Sequence, residues 1–162
     1  MTRVLSFDPG QTTGWCYQTE DQIIAFGQAK DLVELMDICE LYSGLVDHVV
    51  IEDYVILNRK AASHSGSRVP TIQMIGYLKA WCIQQKLKAP TLYPARLKPI
   101  QQMKTQMKPI GAHKDNHWVD AYNHGRWYLI QECGAPSALQ IKMKKELAKS
   151  GETNGNGTAS PS

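Results

Sequence analysis

Three short acidic segments carry the residue types that could do chemistry: Phe7-Asp8-Pro9-Gly10-Gln11-Thr12-Thr13-Gly14, Val49-Val50-Ile51-Glu52-Asp53-Tyr54 and His117-Trp118-Val119-Asp120-Ala121. Asp8 and Glu52 each stand at the end of a hydrophobic, strand-like run. Ligands of open α/β sheets bind outside such strand ends. If the two runs are parallel neighbours, about 4.8 Å apart, their carboxylates face one another. Two carboxylates that close repel, and a bound cation explains the arrangement. Carboxylate oxygens are the usual ligands of Mg²⁺. The chemistry these residues suit is therefore metal-dependent attack on a phosphodiester. Simpler readings stand beside this one: Asp-Pro-Gly is also a turn sequence, and Glu52 alone could close a strand with a salt bridge. Asp53 points away from Glu52 and is expected to be solvated or structural.

The third segment lies on a helix. His117 and Asp120 are three positions apart and share a face, and His124 continues the same line. Trp118, Ala121, Tyr122 and Leu129 form the neighbouring apolar stripe. A helix docked by that stripe can aim the polar line at a sheet edge, although the same residues could form a solvated face. Asp115 competes as a further ligand, but helix capping accounts for it.

The elements needed to hold these residues can be read along the chain. Residues 3–8 predict a first strand, with Leu5 and Phe7 on one face and Val4, Ser6 and Asp8 on the other. Strands over 14–18 and 23–28 follow through tight turns, giving an antiparallel meander. Leu32, Val33, Leu35, Met36, Cys39 and Tyr42 predict a helix capped by Asp31. Residues 48–54 predict a fourth strand, and 56–69 a mobile polar loop. A helix over 70–85 follows, with Pro70 near its first position and a stripe of Ile72, Ile75, Leu78, Trp81 and Cys82. A stripe wider than one core face requires would leave Tyr77 or Trp81 exposed. Thr91–Tyr93 is a short strand stopped by Pro94. The basic stretch 96–112 has room for a short helix over 100–107, and a strong helix over 115–131 completes the order β-β-β-α-β-α-β-α. That order predicts an α/β fold, a mixed sheet with helices covering its faces.

Residues 1–134 read as one domain, 135–149 as a basic C-terminal helix, and 150–162 as a disordered tail without large apolar residues. The chain has 162 residues, of which 43% are hydrophobic and 20% charged, an ordinary globular balance. Net charge is only +3, so any nucleic-acid contact must rest on local basic patches. Cys16, Cys39, Cys82 and Cys133 form no CxxC pair, which points to reduced, mostly buried cytoplasmic thiols rather than zinc. The N-terminus enters a strand directly, so no signal peptide is expected, and no apolar run approaches the roughly 18 residues of a membrane span.

The three segments together, in this order and spacing across residues 3–132, resemble the RuvC-like Holliday junction resolvases, most of all the small versions of bacteriophages and bacteria. The resemblance implies an RNase H-like mixed five-stranded sheet, a homodimer, and cleavage of branched DNA with Mg²⁺ or Mn²⁺, two ions per active site. It implies that Asp8, Glu52 and Asp120 are metal ligands. His117 would take a fourth position that is Asp in some members and His in others, or act on water as a general base. The expected products are 5′-phosphate and 3′-hydroxyl ends, and the helix over 70–85 is the expected dimer contact.

DNA contacts are expected from loops flanking the site: Arg59, Lys60, His64 and Arg68 after Glu52, and Lys98, Lys104, Lys108 and Lys114 before the last helix. Such residues neutralise phosphates without reading sequence. Tyr54 could stack on an unpaired base. Three other readings compete. One is an RNase H-like nuclease of RNA–DNA hybrids or flaps. Another is a non-catalytic junction-binding protein. The third is an actin-like or sugar-kinase-like ATPase, which needs two such lobes and a second phosphate loop, where 162 residues supply one lobe.

Overall fold

A computed structural model describes residues 1–53, 65–94 and 117–136, with the backbone alone for 65–69. Five strands form one sheet: β1 (Val4–Asp8), β2 (Thr13–Gln18), β3 (Ile23–Ala29), β4 (His48–Asp53) and β5 (Thr91–Pro94). Their order across the sheet is β3-β2-β1-β4-β5. The meander β1-β2-β3 is antiparallel, whereas β4 joins β1, and β5 joins β4, in parallel. Three described helices accompany them: α1 (Leu32–Leu41), α2 (Ser65–Gln84) and α3 (His117–Cys133).

Strand alternation sorts the sheet into two faces. Leu5, Phe7, Val49 and Ile51 are fully buried on one face against Leu35 and Cys39 of α1 and Met74, Leu78, Trp81 and Cys82 of α2. On the other face, Val4 and Val50 pack with Leu129, and Cys16 packs with Trp118, Ala121 and Tyr122 of α3. Burying a side chain of this size contributes about 1.5–3 kcal/mol, so the two-faced pattern fixes the register of β1 and β4 strongly. Asp8 and Glu52, in phase with Val4 and Val50, are thereby committed to the α3 face.

Local signals set the helix ends. The Asp31 side chain accepts from the Glu34 N–H at 2.9 Å, and Glu34 reaches back to accept from the Lys30 N–H at 2.8 Å. Both bonds satisfy groups that a helix start leaves unpaired. Gly134, at φ 66°, turns the chain out of α3, and the Ala135 N–H donates to the Leu129 carbonyl at 3.0 Å.

α2 departs from expectation. It begins at Ser65, five residues before Pro70, so Pro70 lies inside the helix. Proline's fixed φ is helical, and its missing N–H leaves one interior bond, to the Gly66 carbonyl, unmade. Its buried stripe is Thr71, Met74, Leu78, Trp81 and Cys82, while Ile72 is 51% exposed and Ile75 only partly buried. Repeated steps of three fall behind the 3.6-residue turn; the steps from Thr71 through Met74, Leu78 and Trp81 keep pace with it. Trp81 is 3% exposed and Tyr77 packs partly into the core, which removes Trp81 as an exposed dimer contact.

The expected helices over 100–107 and 137–149, the tail 150–162, most of the polar loop 56–69 and the Asp115 cap lie outside the described residues. Among the described residues no helix is long and apolar enough to cross a membrane. All four cysteines are free thiols, and burial pushes Cys39 up to about 12 and Cys82 up to about 11.

Candidate active site

The site is built where β1 and β4 run side by side. Phe7 stands opposite Ile51 in their parallel register, so Asp8 and Glu52 are the next residues along neighbouring strands. α3 crosses the same face. His117, at its start, places Nδ1 3.2 Å from Asp8 Oδ2. The Asp8 side chain is 13% exposed and that of His117 is 49% exposed, so the pair opens to solvent from the helix side. Asp120, one turn on, is half-buried.

The approach of α3 depends on two glycines. A Cβ on Gly14 would lie 2.1 Å from the His117 carbonyl carbon and 2.4 Å from the Trp118 nitrogen. The β2 backbone therefore abuts the first turn of α3, and only glycine lets His117 come down to Asp8. A Cβ on Gly125 would lie 2.4 Å from Gln18 Nε2 and 2.6 Å from Ser6 Oγ. Gln18 knits helix to sheet, its Nε2 donating to the Tyr122 carbonyl at 3.0 Å, while Ser6 Oγ ties β1 to β2 by donating to the Cys16 carbonyl at 3.1 Å. Gly125 costs the helix about 1 kcal/mol relative to alanine, a cost that this close packing offsets. Trp118 also stacks on Phe26 of β3 with ring centroids 4.0 Å apart, pinning the N-terminal half of α3 to the sheet.

His124 is fully buried. Its Nδ1 lies 2.7 Å from the Asp120 carbonyl oxygen and 3.6 Å from Glu52 Oε2. The polar line His117, Asp120, His124 therefore meets the two strand carboxylates, one at each end. The structure thus brings Asp8 to His117, and Glu52 to the His124 end of the line that carries Asp120. Sequence reasoning placed His124 on this line without a role, and it passed over Gly14 and Gly125. A glycine inside a strong helix was the available signal for Gly125.

Tyr54, Arg59, Lys60, His64, Lys98, Lys104, Lys108 and Lys114 lie outside the described residues, as does the side chain of Arg68. Among the described residues no group of three or more His, Cys, Asp or Glu side chains stands in metal-holding geometry. The donor chemistry nevertheless suits a hard cation. Mg²⁺ is commonly held by one or two carboxylates and completes its shell with water and phosphate oxygens, so it does not need a full protein cage.

With topology and site in hand, the fold is RNase H-like: a five-stranded mixed sheet, antiparallel then parallel, flanked by helices. A similar solved structure is that of T. thermophilus RuvC in complex with a Holliday junction substrate, with a TM-score of 0.61 over 85% of this chain and 98% of that one. Sequence identity between the two is 10%, so the likeness is one of fold. No protein-family model and no curated protein sequence matches the chain.

Proposed function

We propose that this chain is a metal-dependent, structure-specific endonuclease that cuts four-way junctions or other branched DNA. The observation that carries the reading is the placement of Asp8 and Glu52 on adjacent parallel strands, on one face, under a helix that presents His117 and Asp120. Structural likeness to a protein solved with a Holliday junction supports it.

Asp8, Glu52, Asp120 and His117 would hold Mg²⁺, with Mn²⁺ as a substitute. Two such ions, when bound, supply an activated water and neutralise charge on the leaving 3′-oxygen. The remaining work falls to the chain. β1 and β4 fix two carboxylates side by side, so the site is negative until it is loaded and repels the phosphate backbone. His117 sits against Asp8 and limits how that carboxylate can turn. Arg59, Lys60, Arg68, Lys98, Lys104, Lys108 and Lys114 neutralise flanking phosphates, and Tyr54 stacks on an unpaired base at the branch. A homodimer would present two such sites to a symmetric junction. The exposed Ile72 and Ile83 of α2 are a better candidate contact than the buried Trp81.

The test is a panel of labelled substrates of one sequence in Mg²⁺: four-way junction, linear duplex, fork, flap and RNA–DNA hybrid. Paired symmetric nicks confined to the junction are expected of a resolvase. Cutting of forks and flaps as well would widen the specificity to branched DNA in general. Cutting of the hybrid alone would replace this reading with a ribonuclease H activity, and junction binding without cleavage would leave a binding module.

A further inference from the structure

We infer that His124 is a positioning residue that holds the Glu52 carboxylate against α3 and so ties the β4 half of the site to the Asp120 half. The inference rests on the nuclease reading of that site. It begins from burial: His124 is fully buried, one of three buried polar side chains of α3 with Asn123 and Arg126, and it is the one that the structure sets beside a strand carboxylate. An imidazole removed from water needs a use for its polar atoms.

The geometry supplies one. Nδ1 is 2.7 Å from the Asp120 carbonyl oxygen. A carbonyl oxygen only accepts, so Nδ1 carries the ring hydrogen and donates it. This bond fixes the ring relative to the helix turn that carries Asp120. The same nitrogen then faces Glu52 Oε2 at 3.6 Å. That distance is too long for a direct hydrogen bond. With its hydrogen directed at the Asp120 carbonyl, the ring's Nδ1–H edge lies beside the carboxylate in a poorly hydrated setting, where polar interactions are strengthened. Nε2 is buried and makes no hydrogen bond among the described residues, so the ring works through Nδ1.

Glu52 therefore meets a rigid wall with a polar edge. Its side chain has three rotatable bonds, and a carboxylate that must meet a cation from one direction gains from losing that freedom beforehand. Groups that orient metal-binding carboxylates in this way typically change metal affinity or activity about 10–100-fold when removed.

Two variants separate positioning from packing. His124→Leu keeps most of the volume and loses the donor, whereas His124→Asn keeps a donor near the Nδ1 position in a smaller side chain. Each is compared with the wild type for the Mg²⁺ concentration that gives half-maximal junction cleavage. The Mg²⁺ concentration that half-saturates the rise in melting temperature is measured without DNA. In His124→Leu both concentrations should rise about 10–100-fold, with junction binding in EDTA unchanged. His124→Asn should stay closer to wild type than to His124→Leu. A His124→Leu protein with wild-type Mg²⁺ dependence would overturn the inference, as would two variants that lose stability equally with no change in either concentration. A wild-type protein showing neither Mg²⁺-dependent cleavage nor a Mg²⁺-dependent melting shift would overturn the nuclease reading itself, and this inference with it.

If His124→Leu does not fold, ¹⁵N spectra of the wild-type histidine rings decide. The Nδ1–H tautomer is expected for His124, with an Nδ1 resonance that moves in Glu52→Gln. An Nε2–H tautomer, or an Nδ1 resonance indifferent to Glu52→Gln, would contradict the assignment.

Discussion

His117 and Asp8 form the contact on which the site turns, 3.2 Å apart and joined across 109 residues of sequence. Both were legible before the fold was known, because Asp8 ends a strand and His117 shares a helix face with Asp120. If His117 serves as a ligand, another ligand should replace it. His117→Asp is expected to keep junction cleavage within about tenfold of wild type, whereas His117→Ala should fall by about a hundredfold, the upper range for lost site residues. Equal activity in His117→Ala would remove the residue from the site. What the sequence did not reveal is the burial of His124, because a polar residue beside an apolar stripe looks the same whether it faces water or the sheet. A second pair sits at the start of β1 and β4, away from the site: Arg3 Nη2 lies 2.8 Å from Asp47 Oδ1. The hydrogen bond from Arg3 holds the Asp47 carboxyl down, at about 2 against an ordinary 3.8. A depressed carboxyl stabilises the fold above its unfolded value, and that contribution disappears as pH falls from about 4 to 2. Both side chains are near 40% exposed, so solvent screening keeps the effect small. Asp47→Asn should therefore lose slightly at pH 7 and flatten the stability profile between pH 4 and 2, as read by thermal melts.

Elements, rather than single side chains, decide whether the carboxylates meet their helix. β1 and β4 could be read as strands because each is a short, near-continuous apolar run, as a strand covered on both faces must be, and one residue of slip would exchange Leu5 and Phe7 for Val4, Ser6 and Asp8. The docking of α3 was harder to read, since its apolar stripe shows which side packs but not how closely. Gly14 sets that closeness. Gly14→Ala would drive a methyl into the backbone of His117 and Trp118, costing about 1–3 kcal/mol and moving His117 off Asp8. Gly76 is the contrasting case: it lies in α2 with nothing within 4 Å of an added Cβ. Gly76→Ala should be neutral or stabilising by up to about 1 kcal/mol. Melting temperatures and cleavage rates of the two variants check both statements; an active, fully stable Gly14→Ala would show that the helix can give way. The first half of the α2 stripe lies one residue from the expected one, Thr71 and Met74 in place of Ile72 and Ile75, because isoleucines outrank both on any hydrophobic scale, whereas Leu78, Trp81 and Cys82 are buried as expected. Packing against β1 and β4 favours the positions that keep the helical period.

At the scale of the whole molecule, strand order and direction follow from the chain. Three strands joined by short turns must be antiparallel, and β4 reaches β1 only after α1, which makes a parallel crossover. That topology puts the carboxyl ends of β1 and β4 together at the centre of the sheet, where α/β proteins place their ligands. The substrate was less legible than the site, because a modest net charge of +3 speaks of local patches and not of junctions. The proposed function makes this carboxylate pair a metal-dependent phosphodiester-hydrolysing centre. Its most direct measurement is cleavage of a four-way junction by wild type and Asp8→Asn, side by side, in Mg²⁺ and in EDTA, with binding of the same junction measured in parallel. Paired nicks are expected from wild type in Mg²⁺ alone, and none from Asp8→Asn, which still binds the junction at least as tightly for having lost a negative charge beside phosphate. Cleavage by Asp8→Asn at the wild-type rate, or undiminished cleavage in EDTA, would contradict it.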